Sequence, residues 1–257
     1  MLQETRLHRI RSLLSSFNQV STDRIVQDLG VSRETVRRDI LELEAEGVLR
    51  RVHGGIIATN DEPEPPLAVR QTVRAKEKRA IARAAARLVQ PGQTLFVDAG
   101  STTALLAEAL SAMPGITLIT NGLLVAQQMA AGQAAQPANH VILLGGQVNT
   151  SLAATCGDVT VSEIHRYRAD IALLSPVGVS ADHGATSFEH AEAAIARAMV
   201  VQAKRLVILA DHSKVGHASR VAYAHAQDID AVVTNRHKDN AEGWDALRRA
   251  HVEVVLA

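Results

Sequence analysis

The sequence predicts an α/β chain of two domains, a small helical domain at the amino terminus and a larger domain built on a mainly parallel sheet. Residues 1–57 carry three helical patterns followed by a short hairpin pattern. The residues after 72 alternate short apolar runs with helical segments, which is typical of a parallel sheet covered on both faces. Between them stands ATNDEPEPPL, whose three prolines and acidic residues favour an extended connector. We therefore predict domains at 1–57 and 72–257, joined by a linker at 58–71.

The first predicted helix covers LQETRLHRIRSLLSSF. Its apolar residues recur at helical spacing, at positions Leu2, Leu7, Ile10, Leu13 and Leu14. We expect this apolar face to pack beneath the next two helices.

Two further helices are predicted around a tight turn. Ser21 is a natural N-cap for a helix that ends at Leu29, and Gly30 readily adopts the left-handed conformation that ends a helix. Ser32 then caps a helix over residues 33–46. This spacing is that of a helix-turn-helix that reads DNA.

The second helix of this pair has an apolar face and a basic face. Val36, Ile40 and Leu43 recur at positions i, i+4 and i+7, and the arginines fall elsewhere on the helix. The amino-terminal residues of such a helix enter the major groove, where arginine donates two hydrogen bonds to guanine. The predicted DNA contacts of this helix are Ser32, Arg33, Glu34, Thr35, Arg37 and Arg38.

The run VLRRVHGGI after Gly47 predicts a short basic hairpin, or wing. Its Arg50, Arg51 and His53 are expected to lie along the phosphates or to reach the minor groove. The pattern thus predicts a winged helix-turn-helix that binds duplex DNA.

A solvated helix face is the alternative interpretation of these arginines. In that case they would pair with the acidic residues of the same helix, Asp39, Glu42, Glu44 and Glu46. The caps, the turn glycine, the periodicity and the basic hairpin all coincide, which favours DNA binding.

Composition restricts the class of partner. The net charge is +0 and the pI is about 7.2, so any affinity for DNA must come from a local patch, which needs more than one subunit to be effective. Aromatic residues make up only 2%, which argues against stacking on single strands. The single cysteine excludes an internal disulfide, and we see neither a secretion signal nor an apolar run long enough for a bilayer. We expect a cytoplasmic protein with no membrane partner.

The larger domain is predicted to begin with an Ala-rich and Arg-rich helix over residues 72–89, which Pro91 and Gly92 end. Seven apolar runs then read as strands: TLFVD, ITLIT, HVILL, ADIALLS, RLVILA, DAVVT and HVEVVLA. In open parallel sheets, ligands bind at the carboxyl ends of the strands.

Polar and glycine residues follow four of these predicted strands. The segment DAGSTT comes after TLFV and opens a helix, so its N–H groups and hydroxyls favour an anion such as phosphate. TNG, GG and DHSK follow three other strands, and Lys214 can supply a positive charge to a phosphoryl group. The alternatives are an ordinary N-cap for Ser101 to Thr103, a simple turn for Gly145 and Gly146, and a solvated Lys214.

The DeoR-type bacterial transcriptional regulators have an amino-terminal signature that resembles VSRETVRRDILELEAEGVLRRVHGG. The likeness continues in EKRAIARAAA, DAGSTT, TNG, LLGG and DHSKVG. The segments SFEHAEAAIARAMV, DHSKVG and HVEVVLA also resemble the glycerol-3-phosphate branch of that family.

This resemblance implies a repressor of a sugar or polyol operon, which works as a dimer or tetramer on operator DNA and has no cofactor. It also implies a sensor domain similar in fold to sugar-phosphate isomerases and CoA transferases. The site for the phosphorylated sugar or polyol effector would be lined by Asp98, Gly100, Ser101, Thr102, Thr103, Thr120, Asn121, Gly145, Gly146, Gly178, Glu189 and Lys214. The sequence departs from the family pattern at Ser175 and Pro176, in a loop that would border the effector site. The identity of the effector therefore stays open.

A second polar cluster comprises Asp182, His183, Glu189, His190 and Glu192. If Glu189 and His190 approach a sugar, they can hydrogen-bond its hydroxyls or, in an enzyme, act as a general base. The roles of Asp182, His183 and His190 stay open. The two histidines are seven residues apart and further ligands are not evident, so no metal site is predicted.

Two other functions stay open at this point. One is an active sugar-phosphate isomerase or deaminase with a DNA-binding extension, which is disfavoured because no pair of carboxylates in distinct environments is evident in the sequence. The other is a sensor that has lost its ligand and serves only for assembly.

Overall fold

A computed structural model of the chain describes residues 3–17, 19–52, 54–58, 67–131, 139–237 and 240–257. The chain divides between Pro65 and Pro66 into two units, each with its own core. We call them the amino-terminal unit and the carboxyl-terminal unit.

The amino-terminal unit has three helices and a three-stranded antiparallel sheet with strand order β1-β3-β2. Its elements are α1 (Gln3–Phe17), β1 (Gln19–Ser21), α2 (Thr22–Leu29), α3 (Arg33–Ala45), β2 (Leu49–Val52) and β3 (Gly55–Ala58). Strand β1 was not predicted, because three residues are too few to show an alternating pattern.

The predicted helix caps are present. Ser21 Oγ accepts a hydrogen bond from the Arg24 amide at 3.3 Å, and Ser32 Oγ accepts one from the Thr35 amide at 3.2 Å. Both satisfy an N–H group that a helix would otherwise leave without a partner. The predicted apolar face of α3 is buried against α1 and α2, with Val36 fully enclosed.

Gly30 ends α2 in the left-handed conformation, with φ 62°, and its amide donates to the Val26 carbonyl. A Cβ at this position would meet no neighbouring atom, so only the backbone conformation opposes a side chain. We expect Gly30→Ala to lower the free energy of unfolding of the amino-terminal unit by about 1 kcal/mol. Chemical denaturation checks this, with Gly30→Asn as the matched variant that tolerates positive φ better; equal losses in the two variants would contradict it.

The carboxyl-terminal unit contains a seven-stranded parallel sheet with strand order β15-β14-β12-β9-β4-β5-β6. Its strands are β4 (Thr94–Val97), β5 (Thr117–Thr120), β6 (His140–Leu143), β9 (Ile171–Leu174), β12 (Leu206–Leu209), β14 (Ala231–Thr234) and β15 (Glu253–Leu256). Each of the seven predicted apolar runs supplies one of these strands.

The helices of this unit cover both faces of the sheet. They are α4 (Leu67–Thr72), α5 (Ala75–Ala86), α6 (Ser101–Leu110), α7 (Leu123–Ala131), α8 (Asp158–Ile164), α9 (His190–Val201) and α10 (Ala241–Arg249). Along β4, Leu95 and Val97 join one apolar core while Phe96 joins the other. Since both faces are buried, the central strands are apolar throughout instead of alternating.

Two small antiparallel sheets complete the unit. One has strand order β10-β11-β13 and the other is a hairpin of β7 and β8. Their strands are β7 (Gln147–Asn149), β8 (Ala154–Cys156), β10 (Gly178–Ser180), β11 (Gly184–Ser187) and β13 (Val221–Ala224). None of them was predicted.

The start of the carboxyl-terminal unit differs from the prediction. The helix predicted over 72–89 is instead divided into α4 and α5, with Arg74 between them at φ 52°. Helix α4 begins inside the segment 58–71 that was predicted as linker, because Leu67 is buried in this unit. Residues 59–66 lie outside the described residues, and the domain boundaries stay a prediction.

Within the described ranges, no helix is long and apolar enough to cross a bilayer.

Candidate functional site

A groove in the amino-terminal unit runs between α3 and the β2-β3 hairpin. Three arginines line it, Arg33 and Arg37 from the helix and Arg51 from the hairpin. Thr22 and Gly54 contribute to its walls. The helix and the hairpin therefore present cations to one surface, as a phosphate backbone requires.

The arginines of α3 differ in their partners. Arg33 is paired with Asp23, and Arg38 Nε lies 3.6 Å from Glu34 Oε1, in ion pairs whose side chains are all largely exposed. Arg37 is also exposed, and no ion pair forms at it among the described residues. Exposed pairs contribute little, about 0–1 kcal/mol each, so these arginines can exchange partners for DNA at small cost.

Among the acidic residues of α3, Glu34 pairs with an arginine of the same helix, whereas no such pair is formed within the described residues by Asp39, Glu42, Glu44 and Glu46. These four contact α1 and the hairpin instead, in the pairs Asp39–Arg6, Glu42–Gln3, Glu46–Arg11 and Glu44–Arg51. The Asp39 carboxylate is buried and accepts two hydrogen bonds from Arg6, at 2.7 and 2.9 Å, which ties α1 to α3. This pairing does not support the alternative of a self-neutralised helix face.

Arg50 and Arg51 lie on opposite faces of strand β2. Arg51 is opposite the fully buried Ile56 in the strand register and therefore faces α3. There the Glu44 carboxylate accepts two hydrogen bonds from Arg51, one from Nε at 2.6 Å and one from the backbone amide at 3.2 Å. Arg50 is exposed and makes no ion pair within the described parts of the chain, whereas His53 lies outside them.

Ser32 and Thr35 have local roles. Besides capping α3, Ser32 Oγ lies 2.9 Å from Thr35 Oγ1. The two hydroxyls thus stabilise the first turn of the helix.

The carboxyl-terminal unit has its topological switch point between β4 and β9. From β4 the chain proceeds to β5 and β6 on one side, whereas β9 leads to β12, β14 and β15 on the other. A crevice opens at the carboxyl ends of strands where the order reverses, and ligands of open α/β sheets bind there.

Strand ends bring five polar residues to this edge of the sheet. Neighbouring strands β14, β12, β9, β4 and β5 are followed, in that spatial order, by Asn235, Asp211, Ser175, Asp98 and Asn121. Of these five residues, Asp98 and Asn121 were predicted as effector contacts, and Asn235, Asp211 and Ser175 were not. We call this group of strand ends the carboxyl-edge site.

Asp98 stands at the switch point itself. Its Oδ2 accepts a hydrogen bond from the Ser175 amide at 2.9 Å, which links β4 to β9. Its Oδ1 is buried and has no hydrogen-bond partner among the described residues. Burial raises the pKa of the carboxyl to about 7, although the Ser175 amide and Lys214 favour the charged form.

Asp211 is in a different environment. Its burial would raise its pKa, but the positive charges of Lys214 and Arg74 more than offset that effect and the pKa is lowered. The site thus contains a pair of carboxylates in distinct environments, contrary to the sequence-based argument against catalysis, which is wrong on this point.

Cations surround these carboxylates. Lys214 Nζ donates to the Pro176 carbonyl at 2.5 Å, and Arg74 Nε lies 3.7 Å from Asp211 Oδ1. Lys78 is 4% exposed, and its Nζ donates to Ser101 Oγ at 3.1 Å. Sequence reasoning missed Lys78 and Arg74 as site residues.

A signal for Lys78 was present in the sequence. Lys78, Ile81, Ala82 and Ala85 share the i, i+3, i+4, i+7 spacing of one helix face, and all four are buried. A lysine on the apolar face of a helix is a candidate functional residue because burying its charge requires partners.

Ser101, Thr102 and Thr103 are buried at the start of α6. The N-cap position is taken by Gly100, so these hydroxyls do not form the ordinary cap that was the alternative interpretation. Thr103 Oγ1 donates to the Gly100 carbonyl at 3.2 Å. A Cβ at Gly100 would lie 2.9 Å from Thr103 Oγ1, so the backbone approaches its surroundings closely here.

Thr120 and Asn121 end β5. Thr120 Oγ1 accepts from the Gly122 amide at 2.9 Å, which shapes the turn. Asn121 Nδ2 donates to the Thr155 carbonyl at 3.0 Å, whereas its Oδ1 is buried without a partner among the described residues.

The three remaining predicted glycines have structural surroundings. Gly145 and Gly146 are exposed, and the Gly145 carbonyl accepts from Thr160 Oγ1 at 2.8 Å. A Cβ at Gly146 would lie 2.0 Å from Thr160 Oγ1, and one at Gly178 would lie 2.6 Å from the His217 carbonyl oxygen. These contacts are those of turns and close packing, which was the alternative for Gly145 and Gly146.

The second polar cluster is mostly exposed. Glu189 occupies the N-cap position of α9, and Asp182, His183 and His190 are exposed nearby in the sequence. Glu192, rather than Glu189, is close enough for its charge to act on Asp98. Across the described ranges, no group of three or more His, Cys, Asp or Glu side chains could hold a metal ion.

The two units together define a class of protein, a DNA-binding transcriptional regulator with a separate sensor domain. Residues 6–62 match the DeoR-like helix-turn-helix domain, and residues 73–236 match the DeoR C terminal sensor domain. The chain therefore belongs to the DeoR family. It is a DNA-binding transcriptional repressor of this family.

Relatives match along almost the whole chain. The HTH-type transcriptional repressor GlcR of Bacillus subtilis is 33% identical, over 100% of this chain and 97% of its own length. The glycerol-3-phosphate regulon repressor of Escherichia coli is 30% identical, over 91% of this chain and 92% of its own length. Among solved structures, ribose 5 phosphate isomerase A from Neisseria gonorrhoeae matches with a TM-score of 0.40 and 16% identity, over 56% of this chain and 54% of its own.

Proposed function

We propose that the protein represses a sugar or polyol catabolic operon and that a phosphorylated sugar or polyol releases it from operator DNA. The part of the proposal that concerns the effector rests on Asp98 at the switch point, whose buried Oδ1 has no hydrogen-bond partner among the described residues. The cations Lys78, Arg74 and Lys214 lie around the same edge of the sheet. A phosphorylated polyol offers both an anion for the cations and hydroxyl donors for the unpaired acceptors. Relatives named for glycerol-3-phosphate support this class of ligand.

The DNA half rests on the basic groove of the amino-terminal unit. Helix α3 enters the major groove, where Arg37 and Arg38 read base edges and Arg33 contacts a phosphate. Arg50 lies along the backbone, and Arg51 is held by Glu44 so that it positions the hairpin beside α3.

The low overall charge supports the proposed assembly, and the DNA partner supports the proposed location. The chain as a whole has net charge +0, so one basic groove binds DNA weakly, and two or four copies on repeated half-sites provide the affinity. We therefore assign the protein as a homodimer or homotetramer that acts on chromosomal DNA in the cytoplasm.

Arg50→Ala tests the division of roles on the DNA surface. We expect it to weaken binding to all duplexes alike, by about 3- to 10-fold, and to reduce the salt slope by about one per subunit, because a phosphate contact carries no sequence information. Fluorescence anisotropy on operator and random duplexes over a range of salt concentrations checks this. A loss confined to the operator would contradict the phosphate role.

The effector half is tested by titration calorimetry with sugar and polyol phosphates. We expect one compound of the panel to bind and to weaken operator affinity in a gel-shift assay, whereas its unphosphorylated form does not. Lys214→Met should lower that affinity about 10-fold or more, since a hydrogen bond to a charged group contributes about 1.5–3 kcal/mol. Exposed Arg83 offers a matched control, Arg83→Met. Binding that is equally strong without the phosphate would contradict the assigned class of ligand.

A further inference from the structure

Helix α4 occupies a particular position in the chain. It is the first described element after residues 59–66, which connect strand β3 of the amino-terminal unit to the carboxyl-terminal unit. Helix α4 is therefore the described element of the carboxyl-terminal unit that lies nearest, along the covalent chain, to the DNA-binding unit.

The carboxyl end of α4 is bonded to a side chain of the carboxyl-edge site. Lys78 Nζ donates to the Arg70 carbonyl of α4 at 2.6 Å and to Ser101 Oγ at 3.1 Å. Because Lys78 is buried, the same ammonium group both stabilises the end of α4 and faces the start of α6.

The junction after α4 is strained and is also in contact with the site. Arg74 has φ 52°, a conformation that is unfavourable for a residue with a Cβ, and its Nε lies 3.7 Å from Asp211 Oδ1. Such a conformation persists only where the surroundings stabilise it, and the buried Asp211 is part of those surroundings.

The amino end of α4 is attached differently. Leu67 is buried, and its amide donates to the Ser151 carbonyl, in the turn between β7 and β8, at 3.4 Å. This bond is long, so it attaches the amino end of α4 only weakly.

We propose that α4 transmits occupancy of the carboxyl-edge site to the linker, because a bound phosphoryl group competes for Lys78 and Arg74 and so releases the end of α4. The proposal rests on the proposed function, which places the phosphoryl group at this site. Each hydrogen bond that the phosphoryl oxygens take from Lys78 weakens its bond to the Arg70 carbonyl. An anion that attracts Arg74 also removes the contact with Asp211 that stabilises the positive φ. The ligand thereby binds more tightly when the end of α4 is released than when it is bonded to Lys78. A ligand shifts a conformational equilibrium only through such a difference in affinity.

Hydrogen exchange on the full-length protein tests the proposal. Arg74→Gly removes the guanidinium and its contact with Asp211, and glycine adopts many other backbone conformations as readily as the positive φ, so the junction after α4 is no longer fixed although the sensor fold can still form. We therefore expect the amides of residues 67–73 to exchange about 10-fold faster without ligand. Operator affinity should fall about 5-fold or more in the same variant, although residue 74 lies outside the DNA-binding unit. Two controls are Arg74→Lys, which keeps the charge, and Arg83→Ala, which changes an exposed arginine of α5. In both, the amides of residues 67–73 should exchange more slowly than in Arg74→Gly.

The second arm measures hydrogen exchange of the wild-type protein with inorganic phosphate and with the phosphate esters of the calorimetry panel. We expect any of these that binds to accelerate exchange in residues 67–73, with little further change in Arg74→Gly. Unchanged exchange of α4 on binding, or wild-type operator affinity in Arg74→Gly, would overturn the proposal. If no phosphate compound binds, the effector assignment fails, and the ligand-free comparison of Arg74→Gly with the wild type still decides whether α4 controls operator affinity.

Discussion

Replacing Arg37 by alanine is expected to lower operator affinity about 10- to 100-fold and to relax the preference for one or two base pairs in each half-site. Arg37 is exposed on α3, lines the groove beside the hairpin, and forms no ion pair within the described residues. Its guanidinium therefore has no acidic partner to leave when it donates two hydrogen bonds to guanine. An arginine that reads a base contributes about 1–3 kcal/mol of discrimination, which is the basis of the expected factor.

The measurement is the Kd of the full-length protein for its operator, for operators with single base-pair changes, and for random duplex, all at one salt concentration. Arg11→Ala is the matched control, because Arg11 is a partly exposed arginine of the same unit that is paired with Glu46 and does not line the groove. It should leave operator affinity within about 2-fold. An Arg37→Ala variant that lost the same factor on every duplex would show that Arg37 contacts phosphate and not a base.

Asp98→Asn is expected to stabilise the carboxyl-terminal unit at pH 8 by as much as about 4 kcal/mol. The pKa of the Asp98 carboxyl is about 7 in the folded protein, against an ordinary value of 3.8. The folded state thus binds the proton more tightly than the unfolded state, so the contribution of Asp98 to stability is full below about pH 4 and is lost as the pH rises through 7. Asparagine has the same shape and no charge, so the advantage of the variant should disappear as the pH falls toward 4.

Urea denaturation of the full-length protein at several pH values measures this effect. Asp170→Asn provides a control of opposite sign, since the hydrogen bond from Lys204 lowers the pKa of Asp170. That variant should be destabilised at neutral pH and approach the wild type as the pH falls. If Asp98→Asn showed the same pH dependence of unfolding as the wild type, the high pKa of Asp98 would be refuted.

The same substitution should weaken binding of the effector. Natural proteins keep a destabilising group where function needs it, and the unpaired Oδ1 of Asp98 is such a group. We expect effector affinity in the wild type to rise as Asp98 ionises near pH 7, and this rise should be absent in Asp98→Asn. The ionisation of the phosphate itself affects both proteins equally and so cancels in the comparison.

The elements that the sequence predicted well are those whose signal is local. Ser21, Gly30 and Ser32 act through their own backbone neighbours, and the central strands of the large sheet are apolar because both of their faces are buried. Strands β10, β11 and β13 were missed because they are short and contain small or polar residues such as Gly178 and Thr186. In addition, β13 pairs with β11, which is far away in the sequence.

The candidate site was predicted only in part for the same reason. The resemblance identified the strand-end residue Asp98 and the loop residue Lys214, but not the cations that α4 and α5 bring to them. The break at Arg74 depends on contacts such as that with Asp211, which is distant in sequence, so helical periodicity over residues 72–89 could not reveal it. Likewise, only the fold shows that Glu44 holds Arg51 on the inner face of the hairpin.

The central claim is that one chain couples operator binding to a phosphorylated metabolite. The most direct test is to measure operator affinity with and without saturating effector, and effector affinity with and without saturating operator, on the same full-length preparation. Linkage requires both affinities to change by the same factor, and we predict a decrease of about 10-fold or more in each. An effector that binds the carboxyl-edge site and leaves operator affinity unchanged would contradict the account.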